Sequence, residues 1–184
     1  MTRHPGLRLR PATRQDIPQL SEWDTDPDVI SSTTDDPDAE LAFEGLEWEA
    51  EIDGQTDVYR YYIALLDERP VGAMLVIDPH LEHTHYWGEI EPGLRALDIW
   101  IGHPDDRGKG IGGAMMEMAI TMCFAEPSVK AIVIDPLASN TRAHGFYQRL
   151  GFRPEDRRQF GDSDCLVHRL DREAWEARRF RTPA

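Results

Sequence analysis

Residues 107 to 113 read Arg-Gly-Lys-Gly-Ile-Gly-Gly, four glycines in seven positions, and the sequence on either side fixes how this run is used. Upstream, Leu97, Ile99 and Ile101 alternate with Asp98 and Trp100, the two-residue period of a strand. Downstream, Ala114, Met115, Met118, Ala119 and Met122 continue from Ile111 at i+3, i+4, i+7, i+8 and i+11, the apolar stripe of an amphipathic helix. Val129 to Ile134 is then a short apolar run, predicting a buried strand that returns parallel to the first. The glycine run is therefore the first turn of a βαβ unit. There, free backbone N–H groups and the helix dipole can bind a phosphate, glycine lets the ligand come close, and Arg107 and Lys109 add positive charge; the alternative is a purely structural glycine turn.

The order of residues narrows the ligand. A nucleotide triphosphatase needs a glycine-lysine-hydroxyl sequence, whereas Lys109 is followed by Gly110. Gly108, Gly110 and Gly113 do satisfy the dinucleotide pattern GxGxxG, with Asp135 about 20 residues on, at the end of the next strand. A doubly wound sheet needs further βαβ units beyond that acid. Only 49 residues follow Asp135, holding one good helix and a hairpin, so a Rossmann sheet has no room.

The chain has 184 residues, the size of one domain, and its 40% hydrophobic content is enough for a sizeable core. Its 34 acids and 20 bases give a net charge of −14, which repels a phosphate backbone and excludes nucleic acid as a partner. The whole excess sits between Glu22 and Asp57, where 14 acids occur with no Lys or Arg. This stretch is either a solvated surface or a negative rim that concentrates a cationic substrate. Trp23 and Trp48 within it suit an amphipathic cationic ligand, or simple packing on the core. With no apolar run of membrane-spanning length, and no apolar run in the first residues, the protein is expected to be cytoplasmic and free of membranes. Cys123 and Cys165 lack the spacing of a zinc site or a disulfide framework.

Leu7 and Leu9 mark a short strand, and Thr13 caps a helix running to Trp23, with Asp16 completing the cap. Asp36-Pro37-Asp38 opens a second helix with Leu41, Gly45, Trp48 and Ile52 on one face, making the segment 22–57 partly an acidic helix. Tyr59 to Leu66 and Val71 to Ile77 form an antiparallel hairpin turning at 67–70. His80, His83 and His85 lie in an irregular loop without the carboxylate or thiol partners of a typical metal site, and no metal is predicted. Ser139 or Asn140 caps a helix bearing Ala143, Phe146, Tyr147 and Leu150, stopped by Gly151. Two strands, about 152–160 and 165–170, and a basic helix at 172–181 complete the chain.

Arg107-x-x-Gly110-x-Gly112 on a strand-to-helix turn, followed by Asn140 and by Phe146-Tyr147-x-x-Leu150-Gly151-Phe152, resembles the GNAT acyl-CoA-dependent N-acetyltransferases. The likeness covers about residues 97 to 152, within a coenzyme A-binding core expected at about 94–152 of a single 1–184 domain. It implies an α+β (mixed α/β) fold, a mixed, mostly antiparallel sheet with flanking helices and two central parallel strands, 97–102 and 129–135, that splay apart. It also implies acetyl-CoA as the acyl donor. The amides of Arg107, Gly108, Lys109, Gly110, Ile111 and Gly112 would hold the pyrophosphate, Ile99 and Ile101 would pair with the pantetheine arm, and Asn140 would hold coenzyme A. Tyr147 would touch the cofactor and protonate the departing sulfur, or be no more than a core tyrosine. Asp98, on the strand facing the implied cleft, can orient an ammonium and accept its proton, or serve as a structural ion-pair partner.

Over residues 87 to 152, Trp87-Gly88-Glu89, Glu91-Pro92-Gly93, Asp98, Phe124-x-x-Pro127, Asp135-Pro136, Asn140 and Tyr147 look like the aminoglycoside 6′-N-acetyltransferases. That likeness implies a small polycationic amine held by Asp98 and Asp135, with Trp87 and Glu89 beside it, although Asp135 reads equally as a helix-entry residue before Pro136. Siderophore-pathway enzymes that acylate N-hydroxylated lysine or ornithine share the Asp-Pro at 135–136. As a third possibility, a regulatory module would bind acyl-CoA without turnover. Dimers are common in the family, and the basic 172–181 helix can dock on the acidic block of its own chain or of a second copy.

Overall fold

A computed structural model describes residues 4–181; residues 1–3 and 182–184 of the expected domain lie outside the described residues. Strand β1 (Leu7–Pro11) leads through a 3₁₀ turn at Arg14–Asp16 into α1 (Ile17–Asp24). The expected cap is present: the Asp16 carboxylate accepts the Thr13 N–H at 2.8 Å and both terminal nitrogens of Arg10 at 2.7 and 2.6 Å.

The acidic segment departs from the expected helix. Two Asp-Pro-Asp tripeptides occur in it, and only the first, Asp26-Pro27-Asp28, starts a helix, α2 (Pro27–Thr33). There the Asp26 carboxylate caps the N–H groups of Asp28 and Val29, and Val29 is buried. At Asp36 the same side chain makes only a local bond to the Asp38 N–H, and the chain turns instead of coiling. Buried Asp24 takes over this stretch, its backbone and carboxylate accepting the N–H groups of Ala42 and Phe43 and the Trp48 indole. Those tertiary bonds, together with Gly45 at φ +78°, leave a short α3 (Trp48–Asp53). Trp23 and Trp48 are both core residues.

The hairpin is β2 (Tyr59–Leu66) and β3 (Arg69–Ile77), with a two-residue turn at Asp67 and Glu68. Both turn residues have positive φ, 49° and 66°, as the twist of a tight hairpin requires. Then follow β4 (Leu94–Ile101), α4 (Ile111–Ala125), β5 (Ala131–Ile134), α5 (Thr141–Leu150), β6 (Arg153–Phe160), β7 (Ser163–Asp171) and α6 (Arg172–Arg181). Asn140, not Ser139, caps α5 by accepting the Ala143 N–H at 3.0 Å, and Gly151 ends it at φ +102°.

The seven strands form one sheet in the order β1-β2-β3-β4-β5-β7-β6, antiparallel except for β4 with β5. One face packs on α4, with Leu97, Met115, Met116, Ile132 and Phe152 in its core. The other carries α1 to α3 around Leu20, Trp48, Ile63 and Trp100, and beside them the loop between β3 and β4 covers Leu94, Val133 and Val167. No helix among the described residues is long and apolar enough to cross a membrane.

Candidate active site

The parallel pair β4 and β5 stays together for only three residue pairs, Leu94–Ala131, Arg95–Ile132 and Ala96–Val133. Beyond Ala96, β4 continues to Ile101 beside β3 alone, so its other edge is open in the middle of the sheet. Gly102 donates its N–H to Val71 on the β3 side. Since successive amides of a strand alternate in direction, the backbone groups of Ile99 and Ile101 face the gap. The Ile101 carbonyl is already occupied by Arg107, from Nε at 3.2 Å and Nη2 at 3.0 Å, which leaves Ile99 and the Ile101 N–H open.

A cleft of about 1260 Å³ runs through this gap. At one end lies the glycine turn. Gly110 caps α4 in a left-handed conformation at φ +84°, and the first helical bond from outside is Ala114 N–H to Gly110 O at 3.1 Å. The N–H groups of Ile111, Gly112 and Gly113 precede it in the first turn, where a helix has no internal partner for them. Lys109, Arg142 and Arg149 also line the cleft, so this end is cationic. Arg107 lines this end too, but its guanidinium is already held by Asp26, Asp28 and the carbonyls of Ile101 and Gly102. The turn and its charges fit a pyrophosphate, while Arg107 serves as the brace that ties α2 to the turn.

The other end is acidic and aromatic. By strand alternation Asp98 lies on the same face as Trp100, and its carboxylate makes no hydrogen bond or ion pair with the described residues. Withdrawal from water, with the charge of Asp135 second, pushes the Asp98 carboxyl up to about 7. Asp135, just past β5, is also raised, by burial above all, while a bond from the Tyr86 hydroxyl to Oδ2 at 2.6 Å pulls the other way. Tyr147 on α5 lines the same space, and burial, then the charges of Asp98 and Asp135, hold its phenol protonated far above neutrality. Asn140 spends its oxygen on the α5 cap, and its amide lies at the cleft wall.

Thus Asp98, Asp135, Tyr147, Asn140, Ile99, Ile101 and the turn 107–112 come together, except that Ile111 buries its side chain in the core and offers only its backbone. Trp87 and Glu89 do not join them. Trp87 is buried against Phe160, and with Glu89 it lines a separate hollow of about 250 Å³. The chain reverses at His85 (φ +53°) and Gly88 (φ +64°), so the neighbouring aromatic, Tyr86, is the one that reaches the cleft. Sequence reasoning missed Tyr86, Phe43, Phe160, Arg142 and Arg149. For the arginines a signal existed, since 142, 146 and 149 share one helical face. Of the acidic block, Asp28 and Glu44 line the cleft. Among the described residues no three His, Cys, Asp or Glu side chains converge as metal ligands would.

A turn for a pyrophosphate beside parted parallel strands is the architecture of an acyl-CoA-using transferase, and the model of the acetyltransferase (GNAT) domain family matches residues 12–160. The protein belongs to that family. It is 30% identical over 121 residues to the aminoglycoside N(6′)-acetyltransferase type 1 of Serratia marcescens, covering 65% of this chain and 60% of that one. The kanamycin resistance protein of Rhizobium radiobacter is 30% identical over 100 residues, 54% of this chain and 93% of that one. The match thus spans about three fifths of the Serratia relative's length. The crystal structure of aminoglycoside acetyltransferase AAC(6′)-Ib with coenzyme A superposes with a TM-score of 0.79 at 25% identity, over 94% of this chain and 99% of that one. Spermidine N-acetyltransferase from Vibrio cholerae, with coenzyme A and spermine, shares the fold with a TM-score of 0.69 at 17% identity, covering 93% of this chain and 98% of that one.

Proposed function

We propose that the protein transfers an acetyl group from acetyl-CoA to a primary amine of a small cationic acceptor, and that this acceptor is an aminoglycoside acetylated on its 6′-amine. The observation that carries this reading is one continuous cleft with a cationic glycine turn at one end and the Asp98 and Asp135 carboxylates at the other. One end suits a pyrophosphate and the other an ammonium group. The relatives named as aminoglycoside 6′-acetyltransferases support the choice of acceptor.

In this reading acetyl-CoA supplies an acyl group activated as a thioester, held by the amides of the 110–113 turn, Lys109 and the open edge of β4. Asp98 takes the proton that an ammonium must lose before its nitrogen can attack. Asp135 remains the fixed negative charge that orients the cation. The Ile99 N–H, aimed into the gap, stabilises charge developing on the thioester oxygen. Tyr147, with its proton retained, donates it to the departing sulfur.

Steady-state release of coenzyme A thiol, measured across aminoglycosides, polyamines and N-hydroxylated lysine or ornithine with mass detection of products, tests this. Turnover of a 6′-amino aminoglycoside but not of its 6′-hydroxy analogue is the expected result. Turnover of hydroxylamines alone would replace the acceptor, and coenzyme A binding without turnover would replace the enzyme by a binding module.

A further inference from the structure

The loop between β3 and β4 is irregular in sequence but closely bonded in structure. Asp78 begins it, accepting the N–H groups of His80 and Leu81 on Oδ1 at 3.1 and 3.3 Å and Arg95 on Oδ2 at 2.9 Å. At its centre stands Glu82, only 8% exposed although it has no cationic partner among the described residues. Its carboxylate is spent wholly within the loop. Oε2 accepts the Thr84 N–H at 2.8 Å and the Thr84 hydroxyl at 2.5 Å, and Oε1 accepts the Tyr86 N–H at 2.6 Å. A buried carboxylate with three donors, two of them backbone, holds a local turn as a cap holds a helix end.

The residue delivered by that turn is Tyr86. Its ring stacks on Phe160 at 4.7 Å and 10°, and its hydroxyl donates to Asp135 Oδ2 across 49 residues of sequence. Phe160 stacks on one face of the ring and Glu82 holds its backbone, so that the Tyr86 side chain, although half exposed, carries its hydroxyl to Asp135. Asp135 Oδ2 is thereby engaged, while the residue as a whole lines the cleft.

We propose that Glu82 is a positioning residue of the acceptor site: by folding residues 82–86 it sets the Tyr86 hydroxyl on Asp135 and so fixes the orientation and ionised state of that carboxylate. The proposal rests on the reading of Asp135 as the anchor of a cationic acceptor. It also explains why two neighbouring carboxylates differ. The hydrogen bond to Asp135 favours its charged form, whereas Asp98 accepts no hydrogen bond from the described residues, and the two carboxylates titrate as a pair. The other titratable groups facing the pair among the described residues are Tyr147 from α5, Cys165 from β7 and, beside Asp98, Tyr61 from β2, all held neutral by burial above all.

The test compares Tyr86→Phe, Glu82→Ala, Glu82→Gln and the double variant Glu82→Ala/Tyr86→Phe with the parent, in two measurements. In the first, carboxyl ¹³C NMR follows the titration of Asp135 without any acceptor. Loss of the Tyr86 bond moves its midpoint to higher pH, Glu82→Ala moves it the same way, and the double variant moves it no further than the larger single change. Glu82→Gln, which keeps an oxygen for the Tyr86 N–H, restores most of the parent value. In the second, the acceptor KM rises about tenfold in Tyr86→Phe and Glu82→Ala, the loss of one charge-assisted hydrogen bond, while the acetyl-CoA KM is unchanged. An Asp135 titration unmoved by Glu82→Ala, even with a lowered melting temperature, would make Glu82 merely structural and overturn the proposal, as would additive shifts in the double variant. A parent enzyme that acetylates no cationic amine would instead remove the acceptor reading, and the NMR titration would still decide whether Glu82 acts on Asp135.

Discussion

The Arg107 guanidinium donates from Nη2 to Asp26 Oδ1 at 2.6 Å, joining residues 81 apart in sequence, and the same nitrogen holds the carbonyls of Ile101 and Gly102. Both partners are largely buried, with 14% and 16% of their side chains exposed. Arg107→Ala leaves an uncompensated acid at α2 and frees the turn, at a cost of about 3 kcal/mol in stability. The acetyl-CoA KM should rise with it. Denaturant unfolding together with acetyl-CoA kinetics checks this, and Arg107→Lys should recover little, because one ammonium cannot replace the planar fork.

Tyr147→Phe removes the proton donor and keeps the ring that packs against Phe146 and Phe152. We expect kcat to fall about a hundredfold with both KM values near those of the parent. An unchanged kcat would reduce Tyr147 to a core residue.

With Asp98 pushed up to about 7, kcat/KM for the amine should rise with pH along a limb near that value, as the carboxylate becomes able to accept a proton. Asp98→Asn should abolish the limb and most of the rate. The effect on stability has the opposite sense. From about 4, where an unfolded aspartate ionises, up to about 7, the folded state holds a proton that the unfolded chain has released, so stability falls as pH rises. Asp98→Asn should therefore melt higher than the parent at pH 8, with the gap closing below pH 4, as calorimetry at the two pH values would show.

Lys109 and Arg142 line the cationic end of the cleft. Replacing either by Ala should raise the acetyl-CoA KM about fivefold, a loss near 1 kcal/mol, leave the acceptor KM unchanged, and matter less in high salt. Initial-rate kinetics at two ionic strengths measure both effects.

What the sequence made legible is what local periodicity encodes: the strand and helix around the glycine turn, the Asn140 cap, the Gly151 stop and the hairpin at 59–77. The parted strands followed from the family likeness, and the register of β4 on β5 bears them out. The helix expected from Asp36 failed because an identical tripeptide ten residues earlier had the buried valine that Asp36 lacks, and Asp24 drew the second stretch into tertiary bonds. Trp87 entered the expected site through the family likeness, and a loop with positive φ at His85 and Gly88 has no period that would have pointed to Tyr86 instead. Arg107 was assigned to phosphate since charge beside a glycine turn suggests it. Its acidic partners came from a distant segment that only the folded chain brings near.

A sheet normally carries its unpaired edges at the rim, where a stray strand of another molecule can add on, and proteins guard against this with charge and proline. Here an additional edge, the stretch of β4 beyond Ala96, lies inside the sheet, shielded by α4 on one face and α1 to α3 on the other. A slender chain bearing amide groups can pair with it from the cleft, so the same open ladder that would be an aggregation hazard at the rim becomes, at the centre, a row of donors and acceptors kept for a ligand.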